Sequence, residues 1–209
     1  MKSVILLSLL MALSAHASAQ TRYEVAGDTL YFDMRAAEPG YEFTRQLEQY
    51  DVRILSEHIF EHPEIRKLNI TGPGGHMQAA LEMAKDLASH NIDTIASGEC
   101  FSACTLVFLG GKSRTLGNDA KLGFHRQWVS DKEHKENYTL YKDDMEWNDE
   151  FEYLMYIYNK LNSDLVAQLS FMNDQGLSFD FIIRTLETEV LDMWFPTQEE
   201  LLASGYITE

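Results

Sequence analysis

Basic residues are scarce in this chain. Lys and Arg total 17 against 33 Asp and Glu, a formal net charge of −16 over 209 residues. Phosphate binding needs basic clusters, so this balance argues against a nucleic-acid partner. It also disfavours anionic membrane surfaces. Long apolar runs are scarce too. Beyond the first residues no stretch is apolar enough to cross a membrane. There is no internal repeat, no low-complexity tract and no long linker, which leaves a single domain as the simplest account of the 190 or so residues after the N-terminus. Cysteine is almost absent: Cys100 and Cys104 are the only two.

The N-terminus itself is patterned. Met1-Lys2-Ser3 precedes the apolar run Val4 to Leu13 and then Ala17-Ser18-Ala19. A charged start, a short apolar core and small residues before a cleavage point read as a secretory signal peptide, residues 1–19. The mature chain is then expected to begin at Gln20 or Thr21, as one domain over residues 20–209, in the periplasm or secreted. No cysteine stands near Ala19, which argues against a lipid-anchored start. In an exported protein a close cysteine pair is expected to be oxidised, so Cys100 and Cys104 read as a disulfide. The alternatives are a redox-active pair, or Cys104 as a nucleophile.

Those cysteines bracket Ser102. The segment Ile92 to Ala96 reads as a short buried strand, and an apolar stretch from Thr105 to Leu109 follows the turn. Strand, small-residue turn and helix start would present Ser102 beside backbone N–H groups that have no intrahelical partner. A serine there is either an N-cap or the nucleophile of an acyl-transfer site with its oxyanion cradle.

Other elements follow from pattern. Tyr23-Glu24-Val25 and Thr29 to Phe32 flank a Gly27-Asp28 turn as a hairpin. A helix is expected between Phe43 and Phe60, and a strand over Lys67 to Thr71 that runs into Gly72-Pro73-Gly74-Gly75. Met77, Ala80, Leu81, Ala84 and Leu87 then mark an amphipathic helix. This βαβ alternation implies parallel strands. Lys121 to His125 reads as a strand ending at histidine. Ser130 to Asp149 reads as a charged, solvated segment. Helices are expected through Phe151 to Leu161, Leu165 to Phe171 and Phe179 to Leu186, a strand over Val190 to Phe195, and a last helix after Pro196-Thr197.

Three features then line up at strand ends: the glycine turn, Ser102 and His125. In open α/β sheets, sites form beyond the carboxyl ends of the strands. The order of these features resembles the Clp-protease proteolytic-subunit family and the wider ClpP/crotonase superfamily, over roughly Leu30 to Gly205. Gly72-Pro73-Gly74-Gly75 is similar to that family's Ser-Pro-Gly-Gly turn. Gly98-Glu99-Cys100-Phe101-Ser102-Ala103 resembles its nucleophile turn, with glycine four residues before serine. Phe124-His125-Arg126-Gln127 resembles the strand end that carries its histidine. Glu200 to Ile207 looks like its closing helix, with Leu201 in place of the usual alanine.

The resemblance implies an α/β fold of repeated ββα units with a parallel sheet and flanking helices. It implies a serine peptidase: Ser102 as nucleophile, His125 as general base, Asp192 as the triad acid with Glu189 and Glu187 as alternatives, and Gly74, Gly75 and Ala103 around the oxyanion. No metal or cofactor is implied. The expected partners are a peptide or protein substrate and further copies of the chain. The acidic segment Trp128 to Glu150 replaces the family's glycine-rich segment, which helps its subunits join rings. Two rival readings stand beside this one. Crotonase-type acyl-CoA chemistry shares the fold and oxyanion hole, but coenzyme A is not expected outside the cytoplasm. A binding or assembly protein would keep the fold without turnover.

Overall fold

A computed structural model describes residues 21–41, 44–127, 130–189 and 191–208. The leader expected over residues 1–19 lies outside them. The chain begins with a hairpin, β1 (Tyr23–Ala26) and β2 (Thr29–Asp33), as its alternation and Gly-Asp turn require. Helix α1 (Tyr50–Glu61) and strand β3 (Lys67–Gly72) follow, then α2 (Met77–His90), β4 (Asp93–Phe101) and α3 (Ala103–Leu109). Two short strands, β5 (Arg114–Leu116) and β6 (Lys121–Gly123), precede α4 (Asp131–Tyr141), α5 (Glu150–Asp174), α6 (Phe179–Glu187) and α7 (Gln198–Ala203).

The sheet order is β1-β2-β3-β4-β5, with β6 also pairing with β4 further along. Among the described strands the β1–β2 pair is antiparallel, and β2-β3, β3-β4, β4-β5 and β4-β6 are parallel. The result is a mixed α/β architecture with a mostly parallel sheet and flanking helices. Two strands precede a helix at β1–β2–α1 and β5–β6–α4, whereas β3–α2 and β4–α3 have one each.

Helix α2 is built as its spacing demands. His76 caps it by accepting from the Ala79 N–H at 3.2 Å, and Asn91 closes it in the left-handed region. Ala79, Ala80, Leu81, Met83, Ala84 and Leu87 are buried. The alanines allow close approach: a Cβ on Gly110, at the end of α3, would lie 2.4 Å from the Ala84 carbonyl oxygen. Glycine at 110 therefore lets α3 seat against α2 and sets the depth of the helix that starts beside Ser102.

A buried ion pair ties the N-terminal hairpin to α1. Arg22 and Asp51 are both fully buried. The guanidinium donates to both carboxylate oxygens, at 2.8 and 2.7 Å, and to the carbonyls of Met34, Ala36 and Gln46. Tyr23 Oη and the Glu48 N–H also donate to the Asp51 carboxylate. Every lone-pair direction of the carboxylate is used, which is the condition for a buried ion pair to be tolerated.

The structure corrects three expectations and adds a strand. Leu165 to Phe171 is part of α5, which runs unbroken from Glu150 to Asp174. Asn162-Ser163-Asp164 holds neither glycine nor proline, so nothing stops the helix, and Lys160 pairs with Asp164 across it at 2.8 Å. Ser130 to Asp149 contains helix α4, held by a capping box between Ser130 and Glu133 although none of its residues is buried. Strand β5 was not anticipated. Val190 lies outside the described residues, and over residues 191–195 the expected strand does not form: Trp194 makes a single bridge to Phe124, and Leu191 is 93% exposed.

Apolar side chains stay exposed on the helical arm, among them Leu140 on α4 and Phe151, Leu154 and Tyr158 on α5. The pair Arg22–Asp51 supplies a stability test. Removing one partner leaves a buried charge, so Asp51→Ala is expected to destabilise the fold by about 3–5 kcal/mol in chemical denaturation. A loss below about 1 kcal/mol would contradict this account of the pair.

Candidate active site

Strand β4 outruns the expected Ile92 to Ala96. It continues through Ser97-Gly98-Glu99 to Cys100 and Phe101, because its far half pairs with β6. Ser102 then turns the chain into α3 with φ +53° and ψ −127°. These are the dihedrals of the first corner of a type II′ turn, where glycine is the usual residue. Ser102 stands at the N-cap position, yet its side chain caps nothing. The hydroxyl that serves this turn is that of Thr105, which donates to the Ser102 carbonyl at 2.6 Å. Ser102 Oγ makes no hydrogen bond to any described residue, and the residue is partly exposed.

Several ties hold this unusual backbone. The Ser102 N–H donates to the Gly123 carbonyl at 2.8 Å, linking the turn to β6. Cys100 and Cys104, both buried, form a disulfide from the end of β4 to the first turn of α3. Tyr206 Oη donates to the Thr105 carbonyl at 2.7 Å, and burial pushes its hydroxyl pKa well up, so it remains a donor. Arg114 fastens the tail behind it through the carbonyls of Tyr206, Gly205 and Gly111.

The glycine turn runs alongside. A Cβ on Gly74, whose φ is +90°, would lie 2.5 Å from the Phe101 carbonyl oxygen and 2.7 Å from the Ala103 nitrogen. Only glycine allows this approach. Leu47 anchors the turn by donating its N–H to the Gly74 carbonyl and accepting from the His76 N–H. The N–H groups of Gly74, Gly75 and Ala103 donate to no described residue. Gly74 and Ala103 are buried, and Gly75 is exposed. Unsatisfied donors thus flank Ser102 on two sides.

His125 stands two residues beyond β6. Phe124 exchanges both backbone hydrogen bonds with Trp194, at 2.9 Å each, and its ring packs among Phe181, Trp194 and Tyr206. The Arg126 N–H donates to the Thr188 carbonyl at 3.1 Å. Held on both sides, the half-buried His125 lines one shallow cavity with Ser102, Met77, Leu106, Gln168 and Met172. The cavity measures about 20 Å³, room for little beyond one water. No hydrogen bond joins His125 to Ser102 Oγ.

The His125 ring is oriented by a backbone group. Nδ1 lies 2.8 Å from the Arg126 carbonyl oxygen. A carbonyl only accepts, so Nδ1 carries the proton and Nε2 holds the lone pair of the neutral ring. The acids expected near it are elsewhere. Asp192 is exposed, its N–H donates to the Glu189 carbonyl, and its carboxylate bonds to no described residue. The expected Asp192–His125 hydrogen bond is therefore not formed; with no strand over residues 191–195, nothing turns Asp192 toward the ring. Glu189 pairs with Arg126, and Glu187 with Arg184. The Arg126 carbonyl went unforeseen because a backbone acceptor leaves no mark in residue identity.

No protein-family model matches this chain, and no curated protein does. Solved structures do. A variant of ClpP1 from Listeria monocytogenes superposes with a TM-score of 0.50 at 13% identity, covering 78% of this chain and 84% of that one. A Pseudomonas aeruginosa protein, PA4980, superposes with a TM-score of 0.49 at 12% identity, covering 88% of this chain and 74% of that one. At such identity the first likeness is one of architecture, and it agrees with the parallel sheet and flanking helices described above. This chain has a ClpP-like α/β fold.

Proposed function

We propose that this protein is an exported serine hydrolase acting on peptides, with Ser102 as nucleophile and His125 as general base. The observation that carries the reading is the backbone of Ser102, a non-glycine residue held at φ +53° whose hydroxyl is left without a partner. A serine kept there for packing or capping would take an ordinary conformation. Strained positions of this kind cost on the order of 1–3 kcal/mol and gather at functional sites.

The chemistry then follows from the neighbours. Ser102 Oγ attacks a carbonyl while Nε2 of His125 takes its proton. The N–H groups of Ala103 and of Gly74 or Gly75 receive the oxyanion. His125 returns the proton to the leaving amine, and water activated by the same nitrogen releases the acyl group. Apo sites often hold such contacts loosely, which accommodates the missing Ser102–His125 bond.

The remaining parts belong to the same proposal. The leader over residues 1–19 and the Cys100–Cys104 disulfide support export, and among the described residues no helix is long and apolar enough to cross a membrane. One domain over residues 20–209 self-associates through the exposed apolar side chains of α5, among them Phe151, Leu154 and Tyr158. The second reading, a binding protein on the same fold, draws on the small cavity and on the lack, among the described residues, of a carboxylate bonded to His125.

A fluorophosphonate probe with peptide mass mapping separates the two readings. Labelling at Ser102, lost in Ser102→Ala and reduced at least a hundredfold in His125→Ala, is expected of the hydrolase; a folded protein left unlabelled is the binding protein. Export makes its own demand: protein recovered from outside the cytoplasm, denatured without reductant, is expected to show no free thiol, and two thiols would contradict it. In sedimentation, a species larger than one chain is expected, converted to monomer by Phe151→Lys with Tyr158→Lys. A monomer at micromolar concentration would contradict self-association.

A further inference from the structure

His125 needs a partner that keeps the proton on Nδ1, and four candidates come from the sequence and the structure: the acids Asp192, Glu189 and Glu187, which stand elsewhere, and the Arg126 carbonyl. Only the carbonyl is in contact, at 2.8 Å. That carbonyl belongs to a residue tethered from two directions. The Arg126 N–H reaches the Thr188 carbonyl at 3.1 Å, and its guanidinium pairs with the Glu189 carboxylate. Both tethers come from the same short segment after α6, which also supplies Trp194 to the bridge at Phe124.

We infer that the carbonyl of the pinned Arg126 does the orienting work of a triad acid, and that Glu189 is a positioning residue acting through Arg126. This rests on the hydrolase reading for its consequence, though not for its geometry. A carbonyl fixes ring tautomer and direction as a carboxylate does, but brings no full negative charge to the imidazolium that forms during attack. The site is thereby built for correct geometry with weaker stabilisation of the charged ring. Glu189 contributes by limiting where Arg126, and with it its carbonyl, can go. The pair is exposed, 47% and 63% for the two side chains, so its effect is modest.

The inference separates Glu189 from Asp192, although both are carboxylates within a few residues. Asp192 faces solvent and its charge meets no described partner. Its removal leaves the ring as it was. Loss of the Glu189 charge frees the Arg126 side chain, loosens the carbonyl, and lets the ring shift toward the other neutral tautomer. In that form Nε2 bears the proton and can no longer accept one from Ser102.

Two readouts on the whole mature protein test this. Nitrogen NMR of labelled histidine reports the neutral tautomer of His125 without any substrate. The rate of fluorophosphonate labelling at Ser102 reports the competence of the base. The parent protein is expected to hold His125 with the proton on Nδ1. Glu189→Gln is expected to raise the Nε2–H population and slow labelling about two- to fivefold, the range an exposed pair supplies. The exchange Arg126→Glu with Glu189→Arg restores the pair and both readouts, while Asp192→Asn matches the parent in each.

A parent His125 with its proton on Nε2 would overturn the inference. So would an Asp192→Asn variant slowed by orders of magnitude, since removing a true triad acid costs about ten-thousandfold. Failure of the hydrolase reading looks different: no probe reaches Ser102 in any variant, while the tautomer and its response to Glu189→Gln still stand.

Discussion

The backbone of Ser102 is the constraint on which the site depends. A positive φ in a non-glycine residue is unfavourable by itself, so the surrounding structure must over-determine it. Here the ties come from four directions. The N–H of Ser102 is held by Gly123 of β6, its carbonyl by Thr105, its flanks by the Cys100–Cys104 disulfide, and one side by the Gly74 backbone. Each tie also does something else. The β6 contact fixes the distance between the turn and the strand that leads to His125. The Gly74 contact brings the free N–H groups of a second loop beside those of α3.

The rest of the molecule reads as support for that turn. Helix α3 is seated by the close approach of Gly110 to α2, so its N-terminus does not float. Phe124, Phe181, Trp194 and Tyr206 pack as one aromatic cluster under the His125 strand end. Tyr206 belongs to both halves, because its ring joins that cluster while its hydroxyl holds the Thr105 carbonyl of α3. Ser102 and His125 are thus braced against one another through the C-terminal tail. That tail is fixed in turn by Arg114.

Elements with a local signature were legible in the sequence. The Gly27-Asp28 hairpin, the glycine turn into α2, and the strand–Ser102–helix unit each follow from short-range rules of pattern and turn chemistry. What failed was non-local or unpatterned. The alternation of Leu191, Met193 and Phe195 suggested a strand, but no neighbouring edge accepts it beyond Trp194, and strands exist only in pairs. Helix α4 has no apolar stripe to reveal it; its one signal was the Ser130–Glu133 capping box. The Arg22–Asp51 pair joins residues far apart in sequence, and neither has a neighbour that announces burial. The orientation of His125 depends on a carbonyl, which every residue carries.

The central claim is that a nucleophilic Ser102 lies in a preformed cradle of backbone N–H groups. A crystal structure of the phosphonylated protein tests it most directly. The account predicts phosphorus bonded to Ser102 Oγ, with the phosphoryl oxygen about 2.7–3.1 Å from the nitrogens of Ala103 and of Gly74 or Gly75. It also predicts the Arg126 carbonyl still on His125 Nδ1. Phosphorus on another residue, or a phosphoryl oxygen turned to solvent away from those nitrogens, would contradict it.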